Sequence, residues 1–433
     1  MIKNLQTLLT KSLNHYPKNR TYTRQVKLDN LDTMDKLKEN LKKSMGIESG
    51  FKAIKQDRKH LEQYLPKKQE DLPPRSMEDS FIAGIIPLST DKDLQDKYSS
   101  LDGSVRKGRL MEDMDIFAVM VAQKHICDPN LPEDAPFPQV LVTVVVDKIE
   151  ITEYKMSVEQ DIRISGHVCW SGKSSMEIVV WLEQIDNKEL KRVTRALFVI
   201  AARDPTNTKA AVINPIKPAN ENEKMIFAGG LDRKKFRQEI EALNLYKTIP
   251  TVEEQHMIHN IFTQKLIFIP GSPMKLKDRN QTVWMGDSTI STNFYSHPEN
   301  RNLHNTVFGG FIMRQACEAT SVLGYRFSGE FPRLKTISDI RFLSAVPVFS
   351  FPAIHAFVVY TEGTYIHMMV YIDAFDPITK GSQITNRFNF TYSVSKPVRE
   401  VIPLTYNEAM MYIDGRRHLK TDSQKLSFKG TKK

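Results

Sequence analysis

Two short stretches of this chain hold residues of the kinds that move protons or steady a developing negative charge. One is Gly108-Arg109-Leu110-Met111-Glu112-Asp113-Met114-Asp115, which opens an amphipathic helix and sets Asp115 at the border of its apolar stripe. A carboxylate on a largely apolar helix is partly desolvated, so its pKa rises toward the range of a working general base, or it attacks an electrophilic carbon directly. The residue types leave both roles open. Glu112 and Asp113 read instead as acids that complement the helix dipole in the first turns. The other stretch runs from Asn302 through His304, Asn305 and Thr306 to Gly309-Gly310. The Asn305 amide both donates and accepts, and an imidazole such as His304 carries protons near neutral pH, with the Thr306 hydroxyl beside them as a secondary candidate. The helix that begins at Gly310 turns free N–H groups and a positive dipole end toward an oxygen that becomes an anion, so Gly310 is the candidate oxyanion donor.

The elements that carry these stretches occur twice. Leu110 and Ile312, Met114 and Ala316, Phe117 and Ala319, and Val121 and Leu323 are each 202 residues apart, and in both helices they fall at i, i+4, i+7 and i+11, one buried stripe. Strand landmarks repeat at a shorter offset, Gly172 with Gly363 at 191 and Asp147 with Asp339 at 192. In the first copy a strand over Ser80–Leu88 and a helix over Arg109–His125 precede β-branched or aromatic runs at Val140–Ile151, Asp161–Trp170, Met176–Gln184 and Arg192–Ala202. The second repeats the order with Gln281–Phe294, a helix over Phe311–Tyr325, then Leu334–Leu343, Ala353–Tyr360, Tyr365–Phe375 and Ile384–Val394. One strand, one long helix and four antiparallel strands predict a sheet wrapped around its helix, the hotdog arrangement. The expected class is α+β, with hotdog domains at 76–204 and 281–398 joined by a partly helical connector over 205–280. An extension over 29–75, with a helix from Thr33 to Lys43, precedes them, and a C-terminal extension, 399–433, follows.

At 433 residues, with 40% hydrophobic and 26% charged residues, both domains can bury a full core. No apolar run approaches the ~18–20 residues of a membrane span. Three scattered cysteines fit a reducing compartment. The net charge of +10 suits an anionic partner, and six cations precede the first acid, Asp29, among Thr, Ser and Leu. That is the composition of a transit peptide over 1–28, and it predicts the mitochondrial matrix. Nucleic acid is not the expected partner, because the excess lysine lies in the leader, the extension and the C-terminus, and no RNP-like motif is present.

The segment Asn302-Leu303-His304-Asn305-Thr306-Val307-Phe308-Gly309-Gly310-Phe311-Ile312-Met313, together with the duplication and the basic leader, resembles the acyl-coenzyme A thioesterases of the hotdog superfamily, in their tandem mitochondrial form. The resemblance implies that an acid on one central helix and an asparagine on the loop before the other share a site across the domain interface. Seven residues beyond the helix-opening glycine stand Asp115 in the first copy and Cys317 in the second, while the loops offer Gly103-Ser104-Val105-Arg106 and His304-Asn305-Thr306. One complete site and one dead twin are expected, hydrolysing acyl-coenzyme A without metal or other cofactor. Coenzyme A phosphates need cations, for which Arg106, Lys107, Arg109, Lys173 and Arg341 are candidates. A hotdog hydratase or a non-catalytic acyl-coenzyme A sensor are the alternatives. By resemblance the chain forms a homo-oligomer, a trimer of double-hotdog chains.

Overall fold

The computed structural model describes residues 30–47, 50, 57–128, 130–132, 135–152, 154–187, 189–245, 247–302 and 306–427, the side chains of 422–427 excepted. The expected transit peptide lies outside the described residues.

The chain opens with α1 (Met34–Ser44), whose N-cap Thr33 accepts from the Lys36 N–H. The first lobe comprises β1 (Ile82–Ile86), α2 (Lys92–Tyr98), the central helix α3 (Lys107–Ile126), β2 (Val140–Ile151), β3 (Ile162–Ser171), β4 (Ser175–Asp186) and β5 (Glu189–Arg203). Helices α4 (Glu221–Ala242) and α5 (Val252–Gln264) and the hairpin β6 (Leu266–Ile267) and β7 (Lys275–Leu276) lead to the second lobe. That lobe holds β8 (Thr282–Trp284), β9 (Thr289–Asn293), the central helix α6 (Gly309–Ser328), β10 (Arg333–Phe342), β11 (Phe351–Glu362), β12 (Tyr365–Asp376) and β13 (Gly381–Ser393), followed by β14 (Glu400–Ile402) and α7 (Tyr406–Ser427). Ten strands form one antiparallel sheet in the order β1-β3-β4-β5-β2-β10-β13-β12-β11-β9. The order reads the same from either end, and β2 and β10 are the seam, with Glu150 opposite Thr336 and Val145 opposite Arg341. The α+β class and the two-hotdog arrangement expected from the sequence are what the chain adopts.

Each half of the sheet wraps its own central helix, and the two central helices also pack on each other. That double cover explains a departure from the single buried stripe. Leu110, Met111, Asp113, Met114, Asp115, Phe117, Ala118 and Val119 are all buried, so α3 is enclosed on nearly every face. At the far end of α6, Gly329 adopts φ +78° and its N–H closes the helix on the Tyr325 carbonyl, a geometry glycine takes without strain.

Elsewhere the structure differs from the sequence expectation. Gln281–Phe294 is not one strand: β8 pairs parallel with β14 in a small separate sheet, and only β9 joins the main one. The connector and the C-terminal extension each supply a helix that covers an outer face of the sheet. On α4, a Cβ at Gly230 would stand 2.6 Å from Trp170 of β3; on α7, one at Gly415 would stand 2.7 Å from Val359 of β11. Amphipathic pattern was present in α7, where Ala409, Met411, Tyr412, Ile413 and Leu419 are buried, but its lysines and arginines disguise it.

Candidate active site

Helix α3 carries Asp115 to the interface between the lobes, where the side chain is 2% exposed. Its Oδ1 accepts from Thr143 Oγ1 of β2 at 2.9 Å, and its Oδ2 accepts from the Gly310 N–H of α6 at 2.7 Å. Burial drives the carboxyl up to about 6, the two hydrogen bonds pull against that rise, and the Glu112 charge adds to it. The result is a carboxylate fixed in place, largely ionised at neutral pH, and ready to take a proton. One of its two holders comes from the other lobe.

Close backbone approach requires both glycines at the start of α6. A Cβ at Gly310 would lie 2.9 Å from the Glu112 Cα and 3.0 Å from the Asp115 Cβ. One at Gly309 would meet the Phe342 ring at 2.6 Å and Asp115 Oδ2 at 3.4 Å. The sequence aims the Gly310 N–H at a substrate oxygen; the structure instead gives it to Asp115, so it acts as the anchor of the acid. Gly309 and Phe311, in the same first turn, have N–H groups with no intrahelical acceptor.

His304 and Asn305 lie outside the described residues. The base of their loop is described, and it is tightly tied: the Asn302 N–H donates to the Thr306 carbonyl at 2.7 Å, and the Phe308 N–H to the Asn300 carbonyl at 3.0 Å. Asn302 also clasps Thr306 through side chains, Nδ2 to Oγ1 at 2.7 Å, while its Oδ1 accepts the Thr306 N–H at 3.2 Å. Thr306 thus closes the loop. The first lobe repeats the same ties 202 residues earlier, with Ser100 N–H to the Ser104 carbonyl at 2.8 Å and Arg106 N–H to the Tyr98 carbonyl at 2.7 Å. In that frame Gly103, at φ +71°, holds the place of Asn305.

At the twin position Cys317 is buried, and burial pushes its thiol up to about 12, so it stays protonated and inert. Tyr392 lies over it, its hydroxyl donating to the Cys317 carbonyl at 3.4 Å. Lys107 takes the place of Gly309, and the strand register puts the buried Leu334 where β2 has Thr143. Among the described residues the twin has no buried carboxylate held by the start of the opposite helix.

Several other assignments change. Helix α3 starts at Lys107, so Glu112 and Asp113 lie beyond its first turn and do not serve the dipole. Asp113 is wholly buried and accepts from the Tyr98 hydroxyl and, at 2.6 Å, from Lys38 of α1. The extension therefore supplies the counter-charge of a core acid. Glu112 pairs with Arg109 at 2.9 Å and with Arg314 of α6 at 3.3 Å. Of the proposed phosphate cations, Arg106 is paired with Glu318, Arg109 with Glu112, and Arg341 with Asp339 and Glu241, so all three already serve carboxylates. Lys107 flanks the dead twin, and Lys173 is exposed at the β3–β4 turn, its carbonyl accepting the Ile213 N–H. Thr143 escaped the sequence analysis. The signal was a lone hydroxyl in the apolar run Val140–Val146, a polar group that would be costly to bury without a partner.

No family model matches the chain. Its sequence is 36% identical over 399 residues to mitochondrial acyl-coenzyme A thioesterase 9 of Mus musculus, covering 91% of this chain and 89% of the relative. It is 35% identical over 398 residues to the thioesterase of the same name from Homo sapiens, covering 90% and 88%. Among solved structures, an acyl-coenzyme A hydrolase from Staphylococcus aureus, in complex with butyryl coenzyme A, coenzyme A and coenzyme A disulfide, aligns with 35% of this chain and 96% of its own at 20% identity and a TM-score of 0.32. On its identity to these curated relatives over nine-tenths of its length, the chain belongs to the acyl-coenzyme A thioesterase family.

Proposed function

We propose that the chain hydrolyses acyl-coenzyme A to a free acid and coenzyme A at the interface of its two lobes, in the mitochondrial matrix. The observation that carries this is the 2.7 Å bond from the Gly310 N–H of the second lobe to Asp115 of the first, which places a base at the start of a helix. Asp115 acts as general base rather than nucleophile, because each carboxylate oxygen is held by a donor while keeping a free lone pair for a water proton. Asn305 orients that water or the thioester carbonyl. As the carbonyl carbon is attacked, the N–H groups of Gly309 and Phe311 at the start of α6 stabilise the oxyanion, while Gly310 keeps its N–H on Asp115. The carbon–sulfur bond then breaks and the thiol leaves with the proton taken from water. His304 is kept as a secondary proton carrier, and Lys107 and Lys173 as the cations not already paired with a carboxylate among the described residues.

The test is thiol release from a panel of acyl-coenzyme A esters by wild type, Asp115→Ala and Asn305→Ala. Loss in both variants is expected, and undiminished turnover in both would overturn the site. A sensor would release no thiol with any ester. We further propose a trimer of chains, for which light scattering should give three times the 49.8 kDa chain mass; a monomer would refute it.

A further inference from the structure

The two pseudo-equivalent clefts differ in polarity as well as in chemistry. At the twin, Arg106 of the first lobe pairs with Glu318 of the second. The 202-residue offset turns that pair into Phe308 and Ile116 at the Asp115 side, both half-buried and packed on the core. On the strands, the matching bulges and buried residues of β2 and β10, Val146 with Ile337 and Ile149 with Ile340, set Ile151 at the place of Phe342, so that position is apolar in both clefts. The two positions that form an ion pair in one cleft are both apolar in the other. Apolar side chains beside a desolvated carboxylate suit a substrate whose reacting carbonyl carries a hydrocarbon tail.

We infer that Phe342 is the residue that selects which acyl chains reach Asp115, an inference that rests on the thioesterase reading above. Phe342 is the last residue of β10, next to the seam, and it stands over the first turn of α6. The point where a Gly309 Cβ would begin is 2.6 Å from its Cε1, 2.9 Å from its Cζ and 3.4 Å from Asp115 Oδ2, so ring edge and carboxylate converge on one stretch of backbone. Phe388 holds the ring edge to face, centroids 6.4 Å apart at 87°. On this reading a short acyl chain passes along the edge of the braced ring. A long chain must displace it.

The experiment is to measure kcat/KM for butyryl- and lauroyl-coenzyme A in wild type, Phe342→Ala and Phe342→Leu. The ratio of the two values within one protein cancels any loss of folded fraction. Truncation to alanine should raise the lauroyl-to-butyryl ratio by about ten- to hundredfold, the range that a few methylenes gaining room command, with leucine between. A ratio unchanged within about twofold in both variants overturns the role of Phe342, while Asp115→Ala still abolishing hydrolysis leaves the thioesterase reading intact. If neither ester is hydrolysed by wild type, the thioesterase reading falls first. Should the alanine variant fail to fold, the leucine variant alone decides, by the same ratio.

Discussion

The two lobes keep one backbone and part company at a few side chains. Their pre-helix loops share the same backbone hydrogen bonds at a constant offset, yet one loop carries Asn305 and the other Gly103. Their central helices start with glycines in close contact with the opposite helix, Gly108 against Arg314 and Gly310 against Glu112, yet one bears Asp115 and the other Cys317. The lesson is that scaffold and chemistry separate cleanly here. Dock, dipole and glycine turn exist twice, whereas a buried carboxylate held by the start of the opposite helix exists once among the described residues.

The sharpest way to break this contrast is to exchange the two key positions. Asp115→Ala should lower kcat by about a thousandfold, within the range of a general base, while Cys317→Ala should leave it unchanged within about twofold. Comparable losses in both would mean the twin is alive. A smaller effect, on stability, is expected at the glycines. Gly310→Ala drives a methyl into Glu112 backbone at 2.9 Å and should cost about 1–3 kcal/mol in denaturant unfolding. Gly108→Ala meets the flexible Cγ of Arg314 at 3.1 Å and should cost about 1 kcal/mol or less; equal costs would show that the two helix starts are not differentiated.

The gentlest probe is pH. With Asp115 at about 6, kcat/KM should climb as the acid ionises and level off above that value. Thr143 stabilises the charged form, so Thr143→Val removes a pull toward lower pKa and should move the acidic limb to higher pH, with about a tenfold loss near neutrality. Leu334→Val, at the twin, should leave the limb where it is. A limb unmoved by Thr143→Val would separate the hydroxyl from the titration of Asp115.

Most of the scaffold is legible in the residues because the core strands and central helices are long and strongly patterned; β2 runs from Val140 to Ile151, as its apolar run predicts. Elements that depend on distant partners are not. The break between Trp284 and Thr289 follows from β14 arriving more than a hundred residues later, and α7 hides its apolar face among lysines and arginines. The site divides the same way. Asp115 is visible as an acid against an apolar stripe, whereas the roles of Asp113 and Thr143 need the fold, since Lys38 reaches Asp113 from 75 residues away and Thr143 reaches Asp115 from 28. The arginines show the reverse failure: forks that would suit phosphate are engaged by acids no local pattern reveals.

The seam between β2 and β10 carries a consequence for synthesis. Until the ribosome has delivered β10, the finished first lobe ends in a naked edge at β2, rich in valine and presenting unpaired N–H and carbonyl groups to any neighbouring nascent chain. Arrival of the second lobe seals that edge in the same act that brings Gly310 to Asp115. Covering of that edge and assembly of the Asp115–Gly310 contact are thus a single event late in translation, and a chain released half-made has neither.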